Sequence, residues 1–225
     1  MGGQACVLYG AAEFSRDTDL ALLADHENLT RLHAALDELG AATIAVPPFE
    51  LQYLERGHAI HFAFGDRPGR MRVDVMSRMR NVDPFPALWE RRTTLQLPGV
   101  GDVDLLALPD LVQAKKTQRD KDWPMIRRLV EVNYLTFRDN PSDARILFWF
   151  SELRTPSLLH EVALAYPHGV LEAKQKRPWL AKVNWERKQD IEIALMQEET
   201  AERTADRAYW APLIAELASL RQAHS

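Results

Sequence analysis

The chain has one cysteine, Cys6, among 225 residues. No internal disulfide can form, and a reducing, cytoplasmic setting is expected. No apolar run approaches the roughly 20 residues that a membrane helix needs, so no membrane partner is expected. The N-terminus lacks a positive stretch followed by an apolar core, so no signal peptide is expected. Positive charge is not in excess: 28 Lys and Arg stand against 32 Asp and Glu, a net charge of −4. This excludes wholesale coating of nucleic acid and no DNA partner is expected, although a local basic patch stays open. There is no HExxH, no paired CxxC and no GxSxG elbow. The seven histidines show no ligand spacing. His58 and His61 lie three apart on an expected strand and so face opposite sides.

What is present is an ordinary globular composition. With 46% hydrophobic and 27% charged residues, the chain can bury a core and fills one or two domains. "ACVLY" (5–9) is helix or strand. "TDLALLA" reads as a strand with Asp17 at its mouth. "HENLTRLHAALDELGA" places leucines at 29, 32, 36 and 39, which is helical spacing, with Gly40 as C-cap. "HAIHFAF" and "RMRVDVMS" read as strands joined by the turn formers "GDRPGR". "TTLQL" and "DVDLLAL" form a second hairpin around "PGVG". Pro109 opens a helix, "PDLVQAKKTQRD", and Pro124 another, "PMIRRLVEVNYLTF".

After "RDNPSD" every segment reads as helix: "ARILFWFSEL", "PSLLHEVALAY", a long stretch from Asn184 to Trp210, and "APLIAELASLRQ". Trp210, Leu213, Ile214, Leu217 and Leu220 share one stripe. The expected fold is α+β: a mixed-sheet domain over 1–138, then an all-helical region over 141–225.

The unusual feature is "GAAEFSRDTDLALL". Asp17 and Asp19, at i and i+2 on a strand, point to one face. Two carboxylates that close keep one protonated or share a cation. Hard oxygen ligands favour Mg²⁺ (or Mn²⁺). Asp74, in the middle of "RVDVM", is the candidate third ligand, because burying an unpaired charge there is costly. Asp104 is its rival, but lies beside a hairpin turn.

In this order these residues resemble the opening of polymerase-beta-type nucleotidyltransferases. There a glycine pair begins a helix, a D-x-D pair on the next strand binds metal, and a third aspartate follows on a later strand. Gly2 and Gly3, Asp17 and Asp19, and Asp74 match that order. "LPDLVQAKKTQRDKDW" is similar to the L-x-D-L-x-x-x-K…R-x-K-D segment of the branch that includes AbiEii-type toxins and their bacterial relatives. Residues 2 to about 130 carry the resemblance; the tail carries none. Two departures stand out. The family has a helix and a strand ahead of its glycine pair, so either a sheet one strand short or a start further upstream is expected. Gln4 and Ala5 stand where the family often has serine and a basic residue.

The resemblance implies two-metal transfer of a nucleoside monophosphate (NMP) from an NTP to an RNA, protein or small-molecule acceptor. Asp17, Asp19 and Asp74 would be both catalytic and metal-binding. Gly2, Gly3, Lys115 and Arg119 would bind the nucleotide, the last two along one helix face. Such proteins often belong to toxin–antitoxin or phage-defence loci.

Each reading has a plainer rival. Asp17 and Asp19 suit an exposed turn partnered by Arg16. Asp74 suits a buried ion pair with Arg72 or Arg78. "KKTQRDKD" suits a solvated face, with Asp122 as a helix cap and Arg119 paired to a carboxylate. Lys174, Lys176, Arg177, Lys182, Arg187 and Lys188 around Trp179 and Trp185 suit an RNA end, or wet lysines over core tryptophans. The rival function is a nucleotidyltransferase-fold binding or regulatory protein without turnover.

Overall fold

The computed structural model describes residues 1–65 and 70–223. Most of the expected "GDRPGR" turn, residues 66–69, lies outside them. In chain order come α1 (Gly2–Leu8), β1 (Asp17–Ala21), α2 (His26–Glu38), β2 (Ala42–Thr43), α3 (Leu51–Arg56), β3 (Ile60–Phe64) and β4 (Met71–Met76). Then follow α4 (Phe85–Glu90), β5 (Thr93–Leu97), β6 (Gly101–Leu105) and α5 (Leu108–Ala114). The rest is helical: α6 (Asp122–Phe137), α7 (Asp143–Glu152), α8 (Pro156–Ala165), α9 (Pro167–Ala173), a 3-10 turn (Pro178–Ala181) and α10 (Lys188–Ala223). Among the described residues no helix is long and apolar enough to cross a membrane.

The chain is α+β, with a mixed sheet ordered β1-β4-β3-β2 in which only β1 and β4 run parallel. Two compact units divide it: residues 1–114 with 208 onward, and Lys115–Arg207. The composition change near residue 140 is therefore not the boundary. α6 sits on the helical side of it, with Tyr134 edge-on to Trp149 of α7 at 5.0 Å.

In the first unit, strand alternation turns Ile60, Phe62, Val73 and Val75 to one face of the sheet. They pack there with Leu29, Leu32 and Leu36 of α2 and with Leu22, Leu54 and Phe49. Asp25 caps α2 by accepting from Asn28 N at 2.7 Å. Gly40 follows its end at φ +60°, the left-handed turn that glycine takes without strain. The last leucine of the series, Leu39, is exposed. The opposite face of the sheet carries polar residues, and the candidate site lies there.

Three boundaries differ from expectation. β1 starts at Asp17, so both aspartates are strand residues. The helix expected to reach Asp120 stops at Ala114. The reason is Asp122, 2% exposed. Lys115 Nζ, Thr117 Oγ1 and Arg119 Nε all donate to its carboxylate, at 3.3, 2.6 and 2.8 Å. Satisfying a buried charge outweighs a few residues of helix propensity. Finally, α10 runs through Pro212 instead of ending before it. Pro212 cannot donate to the Ala208 carbonyl, but the turns beyond are anchored. Glu216 bonds His58 Nε2 at 2.8 Å and also pairs with Arg56, and Leu213 is buried. Of the expected apolar stripe only Leu213 is buried; Ile214 is exposed.

The second unit packs around Trp149 and Phe150, both fully buried. Gly169 lets α9 approach α7: a Cβ there would sit 2.5 Å from the Phe150 ring. A buried ion cluster crosses this unit. Glu198 accepts Arg177 Nε and Nη2 at 2.8 and 2.6 Å, and Arg154 Nη1 and Nη2 at 2.9 and 3.1 Å.

Burial pushes the Glu198 and Asp122 carboxyls up. Arg177 and Arg154 for the first, and Lys115, Thr117 and Arg119 for the second, outweigh it, so both sit below the usual carboxylate range. A carboxylate with a depressed folded-state pKa stabilises the fold above its unfolded value and loses that contribution as pH falls through the folded one. Stability of this unit is therefore expected to hold from about pH 7 down to about pH 5 and to fall below about pH 4. Urea midpoints measured across that range check it; an unchanged midpoint at about pH 3 contradicts it.

Candidate functional site

The polar face of the sheet gathers residues from three strands. β1 and β4 pair in parallel with Asp17 opposite Arg72 and Asp19 opposite Asp74. β3 and β4 pair antiparallel with His61 opposite Asp74. Residues in register on neighbouring strands point the same way, and adjacent strands lie about 4.8 Å apart. Asp19, Asp74 and His61 thus form one row across the sheet. Asp17 and Arg72 form the next row, one pleat repeat away.

The row is crowded with contacts. Arg72 Nε donates to Asp74 Oδ1 at 2.6 Å, and His61 Nδ1 lies 2.8 Å from the same oxygen. Arg72 Nη2 is also 3.0 Å from His61 Nδ1. That nitrogen donates to Asp74 or accepts from Arg72, depending on its tautomer, and cannot do both at once. Burial pushes the Asp74 carboxyl up, but His61 and Arg72 hold it below the usual carboxylate range. The Arg72 guanidinium is raised by its hydrogen bond to Asp74, with the charges of Asp17 and Asp19 adding to this. The positive partner that two aspartates on one strand call for is Arg72. The Met1 ammonium adds a second positive group, donating to the Asp19 carbonyl at 2.7 Å.

α1 closes one side of this face. Gly3 N donates to Asp19 Oδ2 at 3.2 Å. Gly2 sits at φ +66°, and a Cβ on it would fall 1.8 Å from that same oxygen. No side chain fits there, so the glycine answers both a backbone and a space requirement. Gly2 and Gly3 thus lie against Asp19, which stands in register with Asp74.

Other expected site residues have bonds of their own. Lys115 and Arg119 belong to the second unit, leave the helix they were expected to share, and bond Asp122. Asp122 is therefore a buried anchor; no cap is formed by its side chain. Asp104 is on β6, where it takes Thr94 Oγ1 at 2.6 Å and Arg92 Nε at 3.1 Å. Arg78 makes no bond to Asp74. In the basic stretch, Arg177 is buried against Glu198, Lys174, Lys176 and Lys182 are exposed, and Trp179 and Trp185 are half-buried.

His61 was missed. β3 starts at Ile60, so His58 precedes the strand and the opposite-faces argument does not apply. A signal was available. Counting inward from the paired ends Phe64 and Met71, His61 and Asp74 are each three residues in, which puts them opposite each other.

Among the described residues no group of three or more His, Cys, Asp and Glu side chains is gathered closely enough to hold a metal ion. Arg72 and His61 both take Asp74 through Oδ1. No family model matches the chain, and no curated protein or solved structure matches it.

Proposed function

We propose that this face is the active site of a divalent-metal-dependent nucleotidyltransferase, one that moves an NMP from an NTP to an RNA, protein or small-molecule acceptor. The observation that supports it most is the register of β1 and β4, which sets Asp74 opposite Asp19 with Asp17 on the same face. Nothing in the packing requires three carboxylates there, and like charges directly opposite each other destabilise a sheet. Hard carboxylate oxygens suit Mg²⁺ or Mn²⁺.

Asp17, Asp19 and Asp74 would hold a metal only after side-chain rotation gathers carboxylates that the structure leaves apart, and the ion would then supply charge stabilisation at the reacting phosphoryl group. Gly2 keeps the Asp19 carboxylate clear of a side chain, and Gly3 N donates to it. Arg72 remains charged and orients Asp74. His61 Nδ1, 2.8 Å from Asp74 Oδ1, helps fix that carboxylate. Lys115 and Arg119 have structural work at Asp122 and are not needed in this reading.

The rival is a protein of this fold that binds or regulates without turnover. The Arg72–Asp74 bond at 2.6 Å favours it, since Arg72 already neutralises part of the face. Incubation with Mg²⁺, each α-labelled NTP, and total cellular RNA and protein separates the two. Covalent label on an acceptor supports the transferase; binding without transfer supports the rival.

Binding itself is measurable as a thermal shift. At NTP and Mg²⁺ about 100-fold above Kd, the folded state gains about 2.7 kcal/mol. The corresponding rise in Tm is about 5–10 °C for a chain of this size. The rise is expected to vanish in Asp17→Asn and Asp19→Asn. No rise with any NTP in the wild type contradicts the proposal.

A further inference from the structure

Past the carboxyl ends of β1 and β4 the first unit holds a cleft that the proposed reaction does not use. Its volume is about 520 Å³, partly open to solvent, within the range of small-molecule sites. Leu22–Ala24, which follow β1, and Ser77–Met79, which follow β4, both line it. These two strands are the parallel pair of the sheet, and beyond them β1 leads to α2 and β4 leads towards α4. The crevice outside the carboxyl ends of parallel strands, where the connections part, is where open sheets take their ligands.

The walls of the cleft are tied down. Leu22 N donates to the Met76 carbonyl at 3.1 Å, and Asn28 Nδ2 to the Leu23 carbonyl at 2.9 Å. Ser77 Oγ donates to the Leu54 carbonyl of α3. Gly57, at φ +102°, leaves room for the far wall: a Cβ on it would sit 3.0 Å from Tyr209 Oη and 3.7 Å from Arg78 Cβ. Leu23, Met79, Val82 and Phe85 make much of the lining apolar. Four charged side chains complete it, and they fall into two kinds. Arg56 is engaged by Glu216 and Gln52, and Asp83 by Arg91 Nη2 at 2.8 Å. Glu55 and Arg78 are exposed, and among the described residues their side chains pair neither with each other nor with any other group. One carboxylate and one guanidinium therefore stand uncommitted on an apolar cleft. A ligand that carries both charges and an apolar body matches all three features.

We propose that this cleft binds a small zwitterion with an apolar body, the chemistry shared by apolar amino acids and dipeptides. Arg78 takes the ligand's carboxylate, Glu55 takes its ammonium, and the apolar body lies against Leu23 and Val82. Binding there needs neither metal nor nucleotide, and it is independent of the nucleotidyltransferase reading.

Calorimetry on the full chain, without metal, tests this with L-leucine and L-leucyl-L-leucine. Saturable binding of at least one is expected, and the tighter of the two shows whether the cleft takes a free amino acid or a dipeptide. Arg78→Ala and Glu55→Gln are each expected to weaken that binding by about 10- to about 100-fold, the range for loss of one hydrogen bond to a charged group. Both side chains are exposed, so an unchanged Tm accompanies the loss. N-acetyl-L-leucine, which lacks the ammonium, is expected to bind about tenfold or more weaker than L-leucine and to be indifferent to Glu55→Gln. Asp19→Asn is expected to bind like the wild type. No binding of either ligand by the wild type overturns the site, as does unchanged affinity in either cleft variant. N-acetyl-L-leucine binding as tightly as L-leucine overturns the zwitterion and makes the cleft a plain anion site. Loss of binding in Asp19→Asn places the ligand on the carboxylate face instead and overturns the cleft.

Discussion

Asp19→Asn is expected to reduce NMP transfer by about a thousandfold or more while leaving the protein as stable as the wild type, or slightly more stable. The two halves of this expectation have separate causes. A metal ligand contributes several kcal/mol to transition-state stabilisation, and about 4 kcal/mol corresponds to about a thousandfold in rate. Asparagine keeps the size of the side chain and an oxygen that can still accept from Gly3 N, now bonded to Asp19 Oδ2. Asp19 faces away from the apolar side of the sheet, so no core contact is lost. The substitution also removes a carboxylate directly opposite Asp74, a like-charge pair that costs stability. Active sites often carry such a cost. Steady-state labelling and a thermal melt on the same preparation check both halves. Unchanged transfer contradicts the metal role. A sharp drop in Tm shows instead that Asp19 is held there for the fold.

The second large effect is on stability. Glu198→Gln is expected to cost about 3–5 kcal/mol, the range for breaking a buried ion pair from one side. Arg177 and Arg154 keep only 2% and 7% of their side chains exposed, and both depend on this carboxylate. Arg177 has backup partners: Nη1 donates to the carbonyls of Phe150 and Leu153 at 2.8 and 3.0 Å. Arg154 has fewer. Its guanidinium lies 4.4 Å from the Trp123 ring centroid, and Nε is buried without a partner among the described residues. Removing the charge of Glu198 leaves two buried guanidinium groups with no carboxylate between them. Glu199, the next residue, is the control. It pairs with Arg203 in a half-exposed i,i+4 bridge, and Glu199→Gln is expected to cost about 0–1 kcal/mol. Urea denaturation of both variants checks this. Equal midpoints for the two contradict the hub.

The parts of the fold legible in the sequence were those with a local signal. The leucines of α2, its Gly40 stop and the apolar alternation of β3 and β4 all appear at their expected places. The β5–β6 hairpin likewise follows from "PGVG" between two alternating runs. Short elements without such a signal went unread: α3, α4 and α9 are six or seven residues long, and their existence depends on packing. Tertiary demands also overrode propensity. Lys115–Lys121 leave the helix to surround Asp122, and anchors at Leu213 and Glu216 carry α10 through Pro212.

The candidate site was legible in its residues but not in its arrangement. Two aspartates at i and i+2 had to share a face, and an aspartate between valines was conspicuous. Their meeting depends on β1 pairing with β4 across a connection of about 50 residues, which no local pattern encodes. Arg72 was visible only as a rival explanation for Asp74, and in the structure it is Asp74's closest partner. Lys115 and Arg119 show the reverse case. Their spacing suggested a ligand, while the buried carboxylate that takes them is three residues beyond Arg119.

Manganese binding, followed by the loss of the free-ion electron paramagnetic resonance signal, tests the central claim most directly. The wild-type chain is expected to bind Mn²⁺ saturably, and Asp19→Asn and Asp74→Asn to weaken that binding at least about tenfold, a loss of about 1.4 kcal/mol or more. Equal binding by wild type and both variants, or none by the wild type, would show that these three carboxylates do not converge on a metal.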